Sequence, residues 1–416
     1  MIWVASAALA AWTSDPVAAP GPHRAIALAM DPLTGERFFA LDSLSDVFVG
    51  PVRVGSPQVT WIELDGGVLS APQLVSDHLA SNSTSYMATL SVPPGSALGV
   101  VASRYDIGVG AAAFESFLVQ RSTGAVIASS RRISDDFATI DQGRLSLVAS
   151  TTDGAHACFT AHVHADDIVV NHTVGGLWAD PLSGDDYAPP LPTVEDHCGI
   201  GLLSDGTRVI VNHHNPGDQV YVTLEDTLGS PTAGTPLELL SGGGVAYNHP
   251  VVTVADVGGA DEVHVVATSL TGAHGVVHRS CARSGAVTCG DPADWSATDT
   301  VVPAGTLTER PWPQVAVDAQ GTVYVAWVEE RVGATDTIEV AYRCAGGSFV
   351  DAGVVTTAPG EQAFASDGVG NVNNRMLSGP RIAVDDVAGE VGLVYLLVDG
   401  GSSTPMFAHQ PLATCP

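Results

Sequence analysis

The chain has 416 residues, with 16 basic and 45 acidic side chains and a net charge of -29 at pH 7. A surface this negative repels phosphate backbones and anionic headgroups, which excludes nucleic acid and acidic membranes as partners. Charged residues make up only 15%, hydrophobic ones 45%, and there are 45 glycines and 26 prolines, the composition of short strands and tight turns around a large core.

The chain opens on an apolar stretch, MIWVASAALAAW, without a basic segment before it. Residues 1–20 therefore read as a leader remnant or as a strand that closes the fold. No run of about 18 apolar residues follows, so nothing reads as a membrane-spanning helix.

From there the same hairpin recurs seven times: an apolar strand, a Gly-bearing turn, a second apolar strand. The turns are Asp31–Gly35, Pro93–Gly95, Thr152–Gly154, Ser204–Thr207, Val257–Ala260, Asp318–Gly321 and Asp385–Gly389. A strand-rich repeat of roughly 60 residues predicts an all-β, seven-bladed β-propeller of four-stranded antiparallel blades, running over residues 1–416 as one domain. The last unit, from Pro380 on, has two clear strands and a short third (Met406–His409), so an N-terminal strand would complete it.

Unit six is the clearest. Val315 and Val317 alternate on its first strand. Tyr324, Ala326 and Val328 face one way on its second, Val325 and Trp327 the other. Both faces are apolar, as a blade packed between two others requires. The pattern Pro313, Asp318, Gly321, Tyr324, Ala326, Trp327, Glu329, Arg331 resembles the secreted BNR-repeat, sialidase-like propellers over residues 310–343. Pro380, Ala383, Asp385 and Gly389 repeat part of it. The resemblance implies a propeller and an extracellular or periplasmic habit. It implies no activity: the sialidase Asp-box, Ser-x-Asp-x-Gly-x-x-Trp, occurs intact nowhere, and Ser204–Thr207 is only a fragment of it. Trp327 and Arg331 read as packing at a blade corner.

The six cysteines contain no Cys-x-x-Cys pair, so zinc-ribbon spacing is absent. Cys281 and Cys289 flank a turn. Cys158 and Cys198 fall on neighbouring blades, and Cys344 and the near-terminal Cys415 can tie down the last blade. Three disulfides, 281–289, 158–198 and 344–415, are expected, and with them an oxidising compartment.

In each hairpin the start of the first strand and the end of the second lie at one end of the blade, around the channel mouth. Histidines collect there: His23, His197 and His249 at first-strand starts, His162, His164, His213 and His214 at second-strand ends. Imidazole binds transition metals and serves as a base near neutral pH. His197, His213 and His249 are the expected metal set, for a divalent ion such as Zn, Cu or Mn, with Ca an alternative through loop carboxylates. His23, Arg104, Tyr105, Arg144, His162, His164, Tyr247 and Arg310 are the expected ligand-binding residues. Arg can hold a carboxylate bidentately, and His or Tyr can abstract a proton. His156, His172, His264, His274, His278 and His409 read as ordinary surface or strand residues. A nucleophile elbow, a P-loop and a dinucleotide fingerprint are all absent.

The expected function is an extracellular, monomeric binding module taking a carbohydrate or other small ligand at a His-rich mouth. The rival is a polysaccharide lyase or glycoside hydrolase using His, Tyr and Arg on the same face.

Overall fold

The computed structural model describes residues 11–19, 23–44, 48–49, 52–53, 57–77, 85–106, 112–132, 146–150, 154–161, 167–174, 177–178, 195–214, 217–227, 230–231, 236–307, 311–329, 336–358, 380–399 and 402–415. Within them lie seven antiparallel blade sheets, each a meander that starts at the ring centre and works outward, and one two-stranded ribbon, Phe48–Val49 with Val52–Arg53. The innermost strands are His23–Met30, Ser85–Ser91, Ser146–Ser150, Glu195–Leu202, Ala246–Val257, Gln314–Val317 and Arg381–Asp385. Each neighbours the next in that order, and Arg381–Asp385 returns to His23–Met30, so the ring closes. The fold is the seven-bladed propeller that the repeats predict. Six of the seven expected turns join a first strand to its second; residues 151–153 at the Thr152–Gly154 turn lie outside the described residues.

Ring closure uses the N-terminus. Thr13–Pro16 pairs antiparallel with Ser402–Pro411 as the outermost strand of blade seven, Thr13 opposite His409 and Pro16 opposite Met406. Val17 continues the contact, its amide donating to the Pro405 carbonyl at 2.8 Å. Residues 1–10 lie outside the described residues. Blades one and four carry an extra short strand, Gln73–Asp77 and Leu237–Leu240, on the edge of their third strands.

Apolar clusters fill the spaces between blades. Phe38, Trp61, Val101 and Phe117 pack blade one on blade two, Val211, Val222, Val263 and Val265 pack four on five, and Ile338, Val340, Leu393 and Tyr395 pack six on seven. Two-sided apolar strands are thus explained by burial on both faces. Gly99 shows how tight this is: a Cβ there would lie 2.7 Å from the Trp61 ring.

The turns also lock blades together. Asp31 accepts from its own Leu33 amide at 2.8 Å and from the Gly95 amide of blade two at 3.0 Å, and pairs with Arg121 at 2.5 Å. Asp385 accepts from the Val387 and Ala388 amides and pairs with Arg37 of blade one at 3.1 Å. An Asp at the head of a turn satisfies local amides and reaches the next blade, which is why the motif recurs.

All three expected disulfides are present: Cys158–Cys198, Cys281–Cys289 and Cys344–Cys415. The last anchors the C-terminal tail to blade six, beside a bond from the Ala413 amide to the Tyr324 hydroxyl at 2.9 Å. Among the described residues no helix is long and apolar enough to cross a membrane.

Candidate functional site

At the channel mouth three consecutive blades present a ring at the same place. His197 stands at the start of blade four's inner strand and His249 near the start of blade five's. Trp312 lies two residues before blade six's. All three are buried, and all three have left-handed backbone, with φ of 59°, 51° and 47°. The blade-four and blade-five strands bulge here, their registers shifting between Asp196 and Cys198 and between Asn248 and Val251. A bulge re-aims a side chain, and here it turns each ring toward its neighbour.

The rings meet edge to face. Centroids lie 4.4 Å apart for His197 and His249 and 4.1 Å for His249 and Trp312, with His197 to Trp312 at 6.2 Å. His213, at the end of blade four's second strand, joins at 6.4 Å from His197. Its Nε2 lies 3.7 Å from the Asp218 carboxylate, and the Asp218 carbonyl accepts from the Tyr247 amide at 2.8 Å. Left-handed backbone costs a non-glycine residue about 1 kcal/mol or more. Holding it at the same site in three blades serves placement of the rings, since each blade's ladder runs normally beyond it.

The expected metal set, His197, His213 and His249, is therefore brought together, but as packed rings. Among the described residues no three His, Cys, Asp or Glu side chains are arranged to hold a metal ion. The site as it stands is a platform of two imidazoles and an indole with a third imidazole at its flank.

The other expected residues divide. His23 starts the inner strand of blade one and bonds through Nε2 to the Ala19 carbonyl at 3.0 Å. Burial lowers its pKa. Tyr247 is half-buried and packs on the core between blades four and five. The backbone of Arg104 and Tyr105 ends blade two's second strand at the mouth, Tyr105 opposite Ser85. The side chains of Arg104 and Tyr105 lie outside the described residues, as do Arg144, His162, His164 and Arg310 entirely.

Of the six histidines read as ordinary surface or strand residues, His156, His264 and His278 are strand residues and buried. The His264 and His278 rings hydrogen-bond, Nδ1 to Nε2, at 3.1 Å. Glu262 lies 3.2 Å from the far nitrogen of His264. Burial, with help from nearby His264 and Arg343, drives the His278 pKa well below 6.5. Both histidines belong to blade five, and the His278 ring meets Phe349 of blade six edge to face at 5.5 Å.

Sequence reasoning missed Trp312, Gln314 and Arg381. Trp312 was signalled by its offset, since it precedes its turn much as His197 and His249 precede theirs. Gln314 and Arg381 begin inner strands and line the channel.

No protein-family model matches the chain, and no curated protein resembles it in sequence. Solved structures do resemble it in fold. A lectin from Burkholderia pseudomallei superposes with a TM-score of 0.59 at 14% identity, covering 95% of this chain and 98% of that one. An ulvan lyase, a polysaccharide lyase, gives 0.54 at 10% identity and 94% of each chain. AofleA from Arthrobotrys oligospora gives 0.50 at 11% identity, covering 85% of this chain and 91% of its own. At these identities the likeness is one of fold.

Proposed function

We propose that the protein is an extracellular carbohydrate-binding propeller whose ligand is taken at the mouth of blades four to six. The observation that carries this reading is the His197, His249 and Trp312 platform on strained backbone. Buried and packed edge to face, the rings form a rigid, largely apolar floor to the mouth on which a sugar can rest. The three disulfides and the acidic surface suit an oxidising, extracellular setting. The lectin and lyase neighbours support a carbohydrate ligand by fold analogy only. The protein acts as a monomer in this reading, which size-exclusion chromatography with light scattering checks.

A glycan panel at neutral pH tests the proposal. Retention of at least one glycan class is expected, and retention of none removes it. The catalytic alternative, a polysaccharide lyase or glycoside hydrolase, is favoured by the imidazoles at the mouth, which can serve as proton acceptors near neutral pH. Incubation with uronic-acid polymers separates the two. An unsaturated product or a new reducing end assigns chemistry to the mouth, and intact polymer leaves binding. A metal-ion version of the site requires the three imidazoles to turn toward one point. Elemental analysis of protein purified without chelator tests it.

A further inference from the structure

Beneath the ring platform the channel opens into a cavity of about 260 Å³. Its walls are runs of consecutive residues, Ser146 to Val148, Gly199 to Leu202 and Val251 to Val254, with Gln314, Val315 and Arg381. Consecutive residues line a space only when a strand presents its edge to it, since faces alternate. The cavity is therefore walled by the free backbone edges of the inner strands. Some of their amides are already used, as where Ile200 donates to the Ser146 hydroxyl at 3.1 Å.

Arg381 is the cation in this wall. Every other arginine whose side chain is described has a protein partner. Arg37 meets Asp385 and Glu390, Arg121 meets Asp31 and Glu36, and Arg208 meets Glu225. Arg283 meets Asp205, Arg343 meets Asp299, and Arg279 donates to the Ser296 and Leu239 carbonyls. Arg381 has neither an ion pair nor a hydrogen bond among the described residues. Burial alone lowers its pKa to about 10, with no carboxylate opposing it. The chain contains 45 acidic residues, and all 16 of its basic residues are arginines. Arg381 is half-buried, and a guanidinium partly withdrawn from water with no acidic partner among the described residues is costly, so a single acidic substitution opposite would relieve it.

We propose that Arg381 and the surrounding strand edges form a binding site for one small carboxylate-bearing molecule, held bidentately by the guanidinium. The guanidinium fork matches a carboxylate in shape and charge. At about 260 Å³ the cavity falls just below the roughly 300–1,000 Å³ typical of small-molecule pockets, which suits a molecule no larger than one sugar ring. Backbone amides and carbonyls at the strand edges, with Thr253 and Gln314, supply partners for hydroxyl groups. The site is independent of glycan binding at the platform, and either can fail without the other. Diffuse anion adsorption is not a competing source of signal, because the net charge of -29 repels anions elsewhere.

The test is calorimetric titration and thermal melting at constant ionic strength, with sodium glucuronate, sodium acetate and neutral glucose as probes. Wild-type protein should bind glucuronate saturably at one site and melt higher in its presence, with acetate weaker and glucose inert. Acetate binding as tightly as glucuronate still supports the site and points to a free short acid. Arg381→Gln should weaken carboxylate binding about 10- to 100-fold, the loss of a charge-assisted contact. In anion-free buffer this variant should melt at or above wild type, because it removes a half-buried charge with no acidic partner among the described residues. Arg381→Lys should keep part of the binding. No saturable carboxylate binding by wild-type protein overturns the proposal, whatever the variants do. So does equal binding by wild type and Arg381→Gln.

Discussion

His197 and His249 hold the same position in consecutive blades, meet edge to face with centroids 4.4 Å apart, and both stand on left-handed backbone. Neither conformation is required by the ladders they begin. Strain that recurs in register across a repeat marks the place where the repeat has been adapted, and here that is the channel mouth.

Asparagine tolerates left-handed backbone better than histidine and cannot supply the ring. His249→Asn should therefore stay folded, with a melting temperature within a few degrees of wild type, while ligand retention falls. Differential scanning calorimetry alongside a binding assay checks this. A large loss of stability would show that the ring serves packing rather than recognition.

Asp31 is fully buried, accepts from two amides of different blades and pairs with Arg121. Asp31→Ala should cost about 3–5 kcal/mol, because it orphans those donors and breaks a buried ion pair. Chemical denaturation reads this as a lower midpoint with an unchanged slope.

The disulfides should not contribute equally. Cys281–Cys289 spans 8 residues and Cys344–Cys415 spans 71. Loop-closure entropy gives about 2.5 kcal/mol for the first and about 4.5 kcal/mol for the second. The double substitution of Cys344 and Cys415 to Ser should lower stability more than that of Cys281 and Cys289, and should loosen the tail that reaches Tyr324. Denaturation midpoints of the two variants decide it.

Acid should destabilise the protein in two steps. His278 has a folded pKa held well below 6.5 by burial, so the unfolded chain takes up a proton first. Its contribution is complete above pH 6.5 and is lost as pH falls toward the folded value. Burial works against ionisation of Asp31, but the Leu33 and Gly95 amides and Arg121 outweigh it and hold the pKa below 3.8. Its contribution is present above 3.8 and lost below. Melting temperature against pH should decline below about 6.5 and again in strong acid. His278→Gln should flatten the first decline and leave the second.

The fold was legible because each blade repeats two local signals: a period-two apolar strand and a turn headed by Asp or Gly. Cysteine pairing followed from blade order, since a ring brings Cys158 beside Cys198. The N-terminal stretch stood open between leader and strand until Thr13 was placed opposite His409. The mouth was legible in part. Strand-start position brought His197, His213 and His249 together, but spacing carries no information on ring orientation, so packed rings could not be told from a metal set. Burial of His156, His264 and His278 was hidden because a polar residue on an interior strand face looks like one on a surface. Arg381 was hidden because its meaning lies in the absence of an acidic neighbour among the described residues, which only three dimensions reveal.

The central claim is that the platform at blades four to six recognises a carbohydrate. It is tested most directly by titrating the best glycan from the panel into wild-type protein, Trp312→Ala, and Val387→Ser, an exposed position in the turn at the opposite end of blade seven. Intact folding of each is to be verified by circular dichroism. The account predicts saturable binding by wild type and Val387→Ser, and at least about a tenfold weaker affinity for Trp312→Ala, the order expected for losing one aromatic contact. Equal affinity across folded Trp312→Ala and wild type would contradict it.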